Sequence, residues 1–303
     1  MSNGRSGQVL LVVLLSTAVV LTLVLSVVSK SITDISVTTS EEEALRAFSA
    51  AEAGVEEALV SGTGMGGTGT GSVGVQATDL EADYSYVVDG FPVASTSYVY
   101  PFELGSGESG TVWLMPHNSD GTLDPTCTVE GCFDGTGLML CWGQDVGAVV
   151  PAVEVSVVYQ DPTDLRIKTA RLGSDPVASR RAQNNFSDAS SGGACNNVAG
   201  ESFAYRKDIN LTGNPNPLVP VNPSAGQFKW LRVRMLYNTD KPHAFALINN
   251  SGGGAVPFPG QGRRIESSGS SGVSTRKVEV YSLYPEPPSV FDAALFSPND
   301  IVK

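Results

Sequence analysis

The stretch Val9–Val28, VLLVVLLSTAVVLTLVLSVV, contains no charge, no proline and no glycine. Twenty helical residues rising 1.5 Å each span about 30 Å, the thickness of a bilayer's hydrocarbon core. Only Ser16, Thr17, Thr22 and Ser26 are polar, and such small hydroxyls bond back to the helix's own carbonyls. Val9, Leu10, Val12, Leu15, Val19, Leu23 and Val27 are the residues expected to face lipid or a neighbouring helix. Arg5 precedes the run, whereas Lys30 is followed by Asp34 and Glu41–Glu43. That asymmetry favours the N-terminus in the cytoplasm and the bulk of the chain outside. A cleaved secretory signal is the competing reading. Its apolar region is usually about 7–15 residues and ends at a small-x-small site. The present run is longer and has no A-x-A site after it.

Helical patterning continues beyond the apolar run. Leu45, Phe48, Glu52, Val55 and Leu59 recur at spacings of three and four, with Ala44, Ala51 and Ala58 nearby, and Glu52 is the polar break in the stripe. Ser40 and Glu43 have the form of a capping box, with acidic residues in the first turn where the helix dipole favours them. Between Ser29 and Thr39 the chain is rich in Ser, Thr, Ile and Val, weak helix formers, so this joint reads as helical, bent or locally melted. A helix running without interruption from Val9 to Val60 would be about 78 Å long, several times the ordinary globular length.

This N-terminus resembles a type IV prepilin, most closely the PilX-type minor pilins. The residues that carry the resemblance are a short polar leader ending in Gly7, the apolar run, and EEEALRAFSAAEAGVEEAL, with Phe48-Ser-Ala-Ala-Glu-Ala-Gly54 as its most specific phrase. It covers about the first sixty residues. The resemblance implies cleavage between Gly7 and Gln8 by a prepilin peptidase, and methylation of the new N-terminus. It also implies residence of the helix in the bilayer until an assembly platform packs it against other pilin subunits. Two positions depart from the major-pilin pattern: Gln8 stands where Phe or Met is usual, and Val12 where a Glu neutralises a neighbour's amine. A buried charge without a partner is costly. The departure therefore suits a subunit at a filament tip, or a filament that manages the amine differently.

Past Val60 the pattern changes. Ser61–Gly74, SGTGMGGTGTGSVG, is half glycine and reads as a flexible linker. Short alternating runs follow, between Gly, Pro, Asn and Asp clusters. Candidate strands are 84–88, 98–104, 111–115, 138–142, 152–159, 166–172, 203–209, 228–237, 244–248, 263–267 and 277–284. In 228–237 Leu231, Val233 and Met235 alternate with Arg232 and Arg234, and Asp161-Pro-Thr-Asp164 has hairpin-turn chemistry. Strands of this number and spacing suggest a β-sandwich, and Ala178–Gly200 reads as its least ordered part.

Charge and chemistry narrow the function. The net charge is −12, from 19 Lys and Arg against 31 Asp and Glu, which argues against nucleic acid as a partner. Residues 61–160 contain no Lys or Arg at all, whereas residues 161–303 are slightly basic; a solvated face is the ordinary reading of such runs. The two histidines, His117 and His243, have no Cys or His at ligand spacing, and no nucleophile or phosphate-loop motif accompanies them. No enzyme activity, cofactor or metal site is expected. Asn118–Asp124 has oxygen side chains around Gly121, as a calcium turn does, but a plain Asp120-Gly turn explains it better. Cys127, Cys132, Cys141 and Cys195 lie on the expected outer side, where an even count favours disulfides. Four cysteines allow three pairings; Cys127–Cys132 closing a small loop and Cys141–Cys195 pinning a long one is the favoured pair.

The expected architecture is α+β: leader 1–7, transmembrane and spine helix 8–60, linker 61–74, and an extracytoplasmic β-rich domain 75–303. The expected function is structural, as a minor or tip-associated pilin. The alternative is a signal-anchored surface β-domain protein or adhesin that never polymerises.

Overall fold

The computed structural model describes residues 5–74, 81–118, 120–128, 130–144, 149–191, 195–213, 216–222, 224–251 and 256–288. It is α+β: one long helix followed by antiparallel sheets. Two compact units divide the chain, one of residues up to Val88 with Ile265–Val280, the other of Asp89–Arg264 with the residues after Val280.

Helix α1 (Arg5–Val60) is a single element of 56 residues. The joint at 29–39 is helical throughout. Thr33, Thr38 and Thr39 donate their hydroxyls to the carbonyls of Ser29, Asp34 and Ile35 at 2.8–3.0 Å, so they continue the helix. Because α1 does not begin at Ser40, the Ser40–Glu43 pair caps nothing. Glu43 instead accepts the Val273 N–H at 3.1 Å. The helix closes where the Ser61 N–H and hydroxyl both donate to the Glu57 carbonyl, and Gly62 turns the chain at φ +63°.

The glycine tract expected to be a linker is in part a strand. β1 (Thr68–Val73) pairs antiparallel with β2 (Ala82–Phe91), with Gly69 opposite Tyr86 and Gly71 opposite Tyr84. A Cβ on either glycine would run into the ring of the tyrosine opposite, so the two rings cover the strand where it has no side chains of its own. The sheet continues in the order β1-β2-β12-β13, with β12 Gly262–Ser271 and β13 Ser274–Leu283.

In the first unit α1 lies on this sheet through its small residues. Ala47, Ala50, Ala51, Gly54, Val55 and Ala58 are buried. Val55 and Ala58 form a cluster with Tyr86, Val88 and Ile265, backed by Tyr84, Val278 and Val280. The backbones come close enough that a Cβ on Gly269 would strike the Ala47 carbonyl and the Ala51 nitrogen.

The second unit is a β-sandwich. One sheet has the order β4 (Ser109–Trp113), β10 (Phe228–Leu236), β6 (Ala152–Gln160), β7 (Ile167–Ser174). The other runs β3 (Ser97–Val99), β11 (Phe245–Asn249), β5 (Gly137–Trp142), β9 (Tyr205–Asn210), β8 (Ser190–Ser191). Leu231, Val233, Met235, Val153, Val155 and Val157 from the first sheet share one core with Tyr98, Leu138, Leu140, Trp142, Phe245 and Leu247 from the second. The alternation read in 228–237 holds: its inward positions are in that core. The Asp161–Asp164 segment is the β6–β7 turn, where the Asp161 carboxylate accepts the Thr163 N–H at 2.7 Å and pairs with Lys168 at 2.6 Å.

Cys127 is bonded to Cys132 and Cys141 to Cys195. The second bond holds the loop after Cys195 against the outer face of β5, where Val198, Phe203, Ala244 and Ala246 form a second cluster. The stretch expected to be least ordered contains α2 (Ala178–Asn184). Its organiser is the fully buried Asp175, just before the helix, which binds the Arg180 guanidinium, the Val177 N–H and the Asn184 amide. Burial alone would raise the Asp175 pKa; Arg180 and the two N–H donors hold it below the ordinary carboxylate value.

Candidate functional site: an apolar helix with two environments

The residue class that makes α1 unusual is large and aliphatic. Of the residues expected to face lipid or a partner, Val9, Leu10, Val12, Leu15, Val19, Leu23 and Val27 are all exposed, from 51% at Val19 to 69% at Val27. None of the described residues covers this segment; the best membrane-length window within Gln8–Val60 has a mean hydropathy of 2.8 and none of it is buried. Ser16, Thr17 and Thr22 donate to the carbonyls of Val13, Leu14 and Val19 at 2.8–2.9 Å. Their hydroxyls are thereby satisfied within the helix, which removes most of the cost of placing them in lipid or in a dry bundle. Gly7 and Gln8 lie on the first turns of α1. The helix is long and apolar enough to span a membrane, and the two disulfides fit an oxidising, extracytoplasmic setting for the sandwich.

The second half of the helix divides the expected spine residues into two sets. Ala51 and Val55 are buried against the chain's own sheet, whereas Leu45, Phe48, Glu52 and Leu59 lie on the exposed side. The sheet takes the small residues because only they let strand backbone come this close to helix backbone. Sequence reading by apolar bulk therefore missed Ala47, Ala50 and Gly54, and placed Ala58 only beside the stripe. Their own three- and four-residue spacing was the available signal. Acidic side chains flank this face: Glu42 pairs with Arg46, and the Tyr84 hydroxyl donates to Glu57.

The other singled-out residues are structural. Asp120 caps its own turn, accepting the Thr122 N–H at 2.9 Å and hydroxyl at 2.6 Å. Asp124 is buried and accepts from Thr126 and Thr128. No group of three or more metal-ligating side chains occurs among the described residues. His117 is stacked on Tyr284 at 3.8 Å and edge-on to Trp113, and burial lowers its pKa to about 4, so it is neutral at physiological pH. His243 is buried and bridges Leu104 through its backbone.

No protein-family model, curated protein or solved structure matches this chain.

Proposed function

We propose that this chain is a structural subunit, minor or tip-associated, of a type IV pilus-like filament. In this reading it enters the cytoplasmic membrane as a precursor with its N-terminus inside and is cut between Gly7 and Gln8. It then leaves the bilayer by packing α1 against the helices of other subunits, with the sandwich outside the cell. The observation that carries the reading is the division of one continuous helix. Residues 9–28 expose every large side chain, while 47–58 are docked on a sheet of the same chain. A simple membrane anchor needs only the first twenty residues; a rigid extension built into the exported fold suits a subunit that must hold its domain at a fixed distance from a helical core. Burying twenty such residues against neighbours is worth tens of kcal/mol gross, before the costs of ordering.

The mass of the N-terminal peptide of the protein isolated from membranes or filaments tests this. A peptide that begins at Gln8, heavier by one methyl group, is expected, and Gly7→Val should leave the precursor uncut. A peptide beginning at Met1 or Ser2 would replace the proposal with an anchored surface protein that does not polymerise.

A further inference from the structure

A cleft in the second unit is lined by Phe91, Tyr100, Phe102 and Tyr281, by the carboxylates of Glu103 and Glu201, and by the amide of Gln144. Its volume is about 370 Å³, within the range of small-ligand sites. The aromatic wall is fixed by its own packing. Tyr100 is stacked on Phe245 at 4.9 Å, Phe102 stands edge-on to Tyr100 at 5.8 Å, and Phe91 stands edge-on to Tyr281 at 4.7 Å. Phe102 is nonetheless 46% exposed, a large aromatic left at the opening rather than drawn into the core. In the same lining, Gln144 Nε2 donates to Glu201 Oε2 at 2.7 Å, which orients that carboxylate and leaves its other oxygen unused by Gln144. The Glu201 loop is itself held in place by the Cys141–Cys195 bond and by the paired Val198 and Glu201 backbones.

Two carboxylates and four aromatic rings line the cleft, and no Lys, Arg or His does so among the described residues. Carboxylates repel anions, and aromatic faces present negative potential to a ligand. Both features attract a positive charge that is weakly hydrated enough to leave water, which describes an alkylated ammonium better than a metal ion. The carboxylates lie too exposed to form a closed metal cage, and no metal-ligating group of three is present among the described residues. We propose that this cleft binds a small organic ammonium group, with Phe102 as its aromatic contact and Glu103 and Glu201 as its counter-charges. A neighbouring cleft shares Glu103, Gln144 and Glu201 and adds Lys241 and Ser202, so the rest of a larger ligand would meet a more polar surface there. The proposal does not depend on the filament reading.

The test uses the full chain in an uncharged maltoside detergent, with choline as the probe and its uncharged carbon isostere, tert-butyl in place of trimethylammonium, as the control. Saturable choline binding is expected, at least about tenfold tighter than the isostere and weakened by added salt. Phe102→Ala should weaken it about threefold to tenfold, and Glu103→Gln with Glu201→Gln by at least about tenfold, with circular dichroism unchanged. Equal binding of the isostere would make this an apolar cleft without charge preference and overturn the proposal. No saturable binding by the folded parent chain would overturn it as well.

Discussion

The two halves of α1 have the same backbone and opposite side-chain logic. In 9–28 every large aliphatic is left exposed; in 47–58 the buried positions are alanine, glycine and a single valine. Bulk is placed where no described residue of the chain covers it, and smallness where the sheet does. Contact through small side chains trades buried area for close backbone approach, and that approach fixes the register of helix on sheet. The apolar half has no such register against any described residue of the chain.

The comparison breaks most easily in the apolar half. Leu15→Arg with Leu23→Arg places two charges near the middle of the membrane-length segment, at about 2.5–3.5 kcal/mol each on insertion scales. The variant should leave the membrane fraction on carbonate extraction. Leu45→Arg with Leu59→Arg alters residues equally aliphatic but exposed beyond that segment. It should extract like the parent and unfold within about 0.5 kcal/mol of it per site. Loss of membrane retention by the second pair would mean that the helix has no division at the place described.

Much of this was legible in the sequence, and the failures at β1 and on α1 share one cause. Hydrophobic alternation located strands such as β6 and β10, because each strand carries its own apolar face. β1 was missed because Gly69 and Gly71 carry none; their apolar cover comes from Tyr86 and Tyr84, on another strand. The packing stripe of α1 reads in the sequence as Leu45, Phe48, Ala51, Glu52, Val55 and Leu59, of which only Ala51 and Val55 are buried against the sheet, since bulk signals burial only when the partner surface has room for it. α2 was obscured by polar composition, and it is organised by the single carboxylate of Asp175. The cleft is assembled from six separate stretches of chain, and no local pattern marks it.

Close approach can be tested one Cβ at a time. Gly269→Val would push a side chain into the Ala47 carbonyl and Ala51 nitrogen, which are backbone and cannot rotate away. It should cost about 3 kcal/mol in denaturant unfolding of the detergent-solubilised chain. Gly54→Ala should cost less, about 1 kcal/mol. Its Cβ meets the Ser267 hydroxyl and the Tyr84 ring, both side chains, and alanine regains about 1 kcal/mol of helix propensity. Ser267 Oγ is buried without a hydrogen-bond partner, so removing it sacrifices no bond. Ser267→Ala added to Gly54→Ala should therefore recover part of the loss, leaving the two Cβ atoms near an ordinary 3.4 Å contact and only the Tyr84 ring, 2.9 Å away, to shift. Additive losses would show that the hydroxyl is not what limits the approach.

The smallest expected effect concerns the edge of the same contact. The Tyr84 hydroxyl donates to Glu57, and that bond, then burial, then the Glu57 charge raise the tyrosine's pKa above its ordinary value near 10. A folded-state pKa above the unfolded one contributes stability that is complete below the unfolded value and is lost as pH rises through the folded value. The bond is partly exposed, so Tyr84→Phe should cost only about 0.5 kcal/mol at pH near 8. Between about pH 10 and 12 the gap between parent and variant should shrink, because only the parent loses this contribution as the unfolded tyrosine ionises. Denaturant melts of both chains at the two pH values measure the gap directly. A gap that stays constant would show that Glu57 does not hold the tyrosine proton, and that the small-residue face alone seats the helix on its sheet.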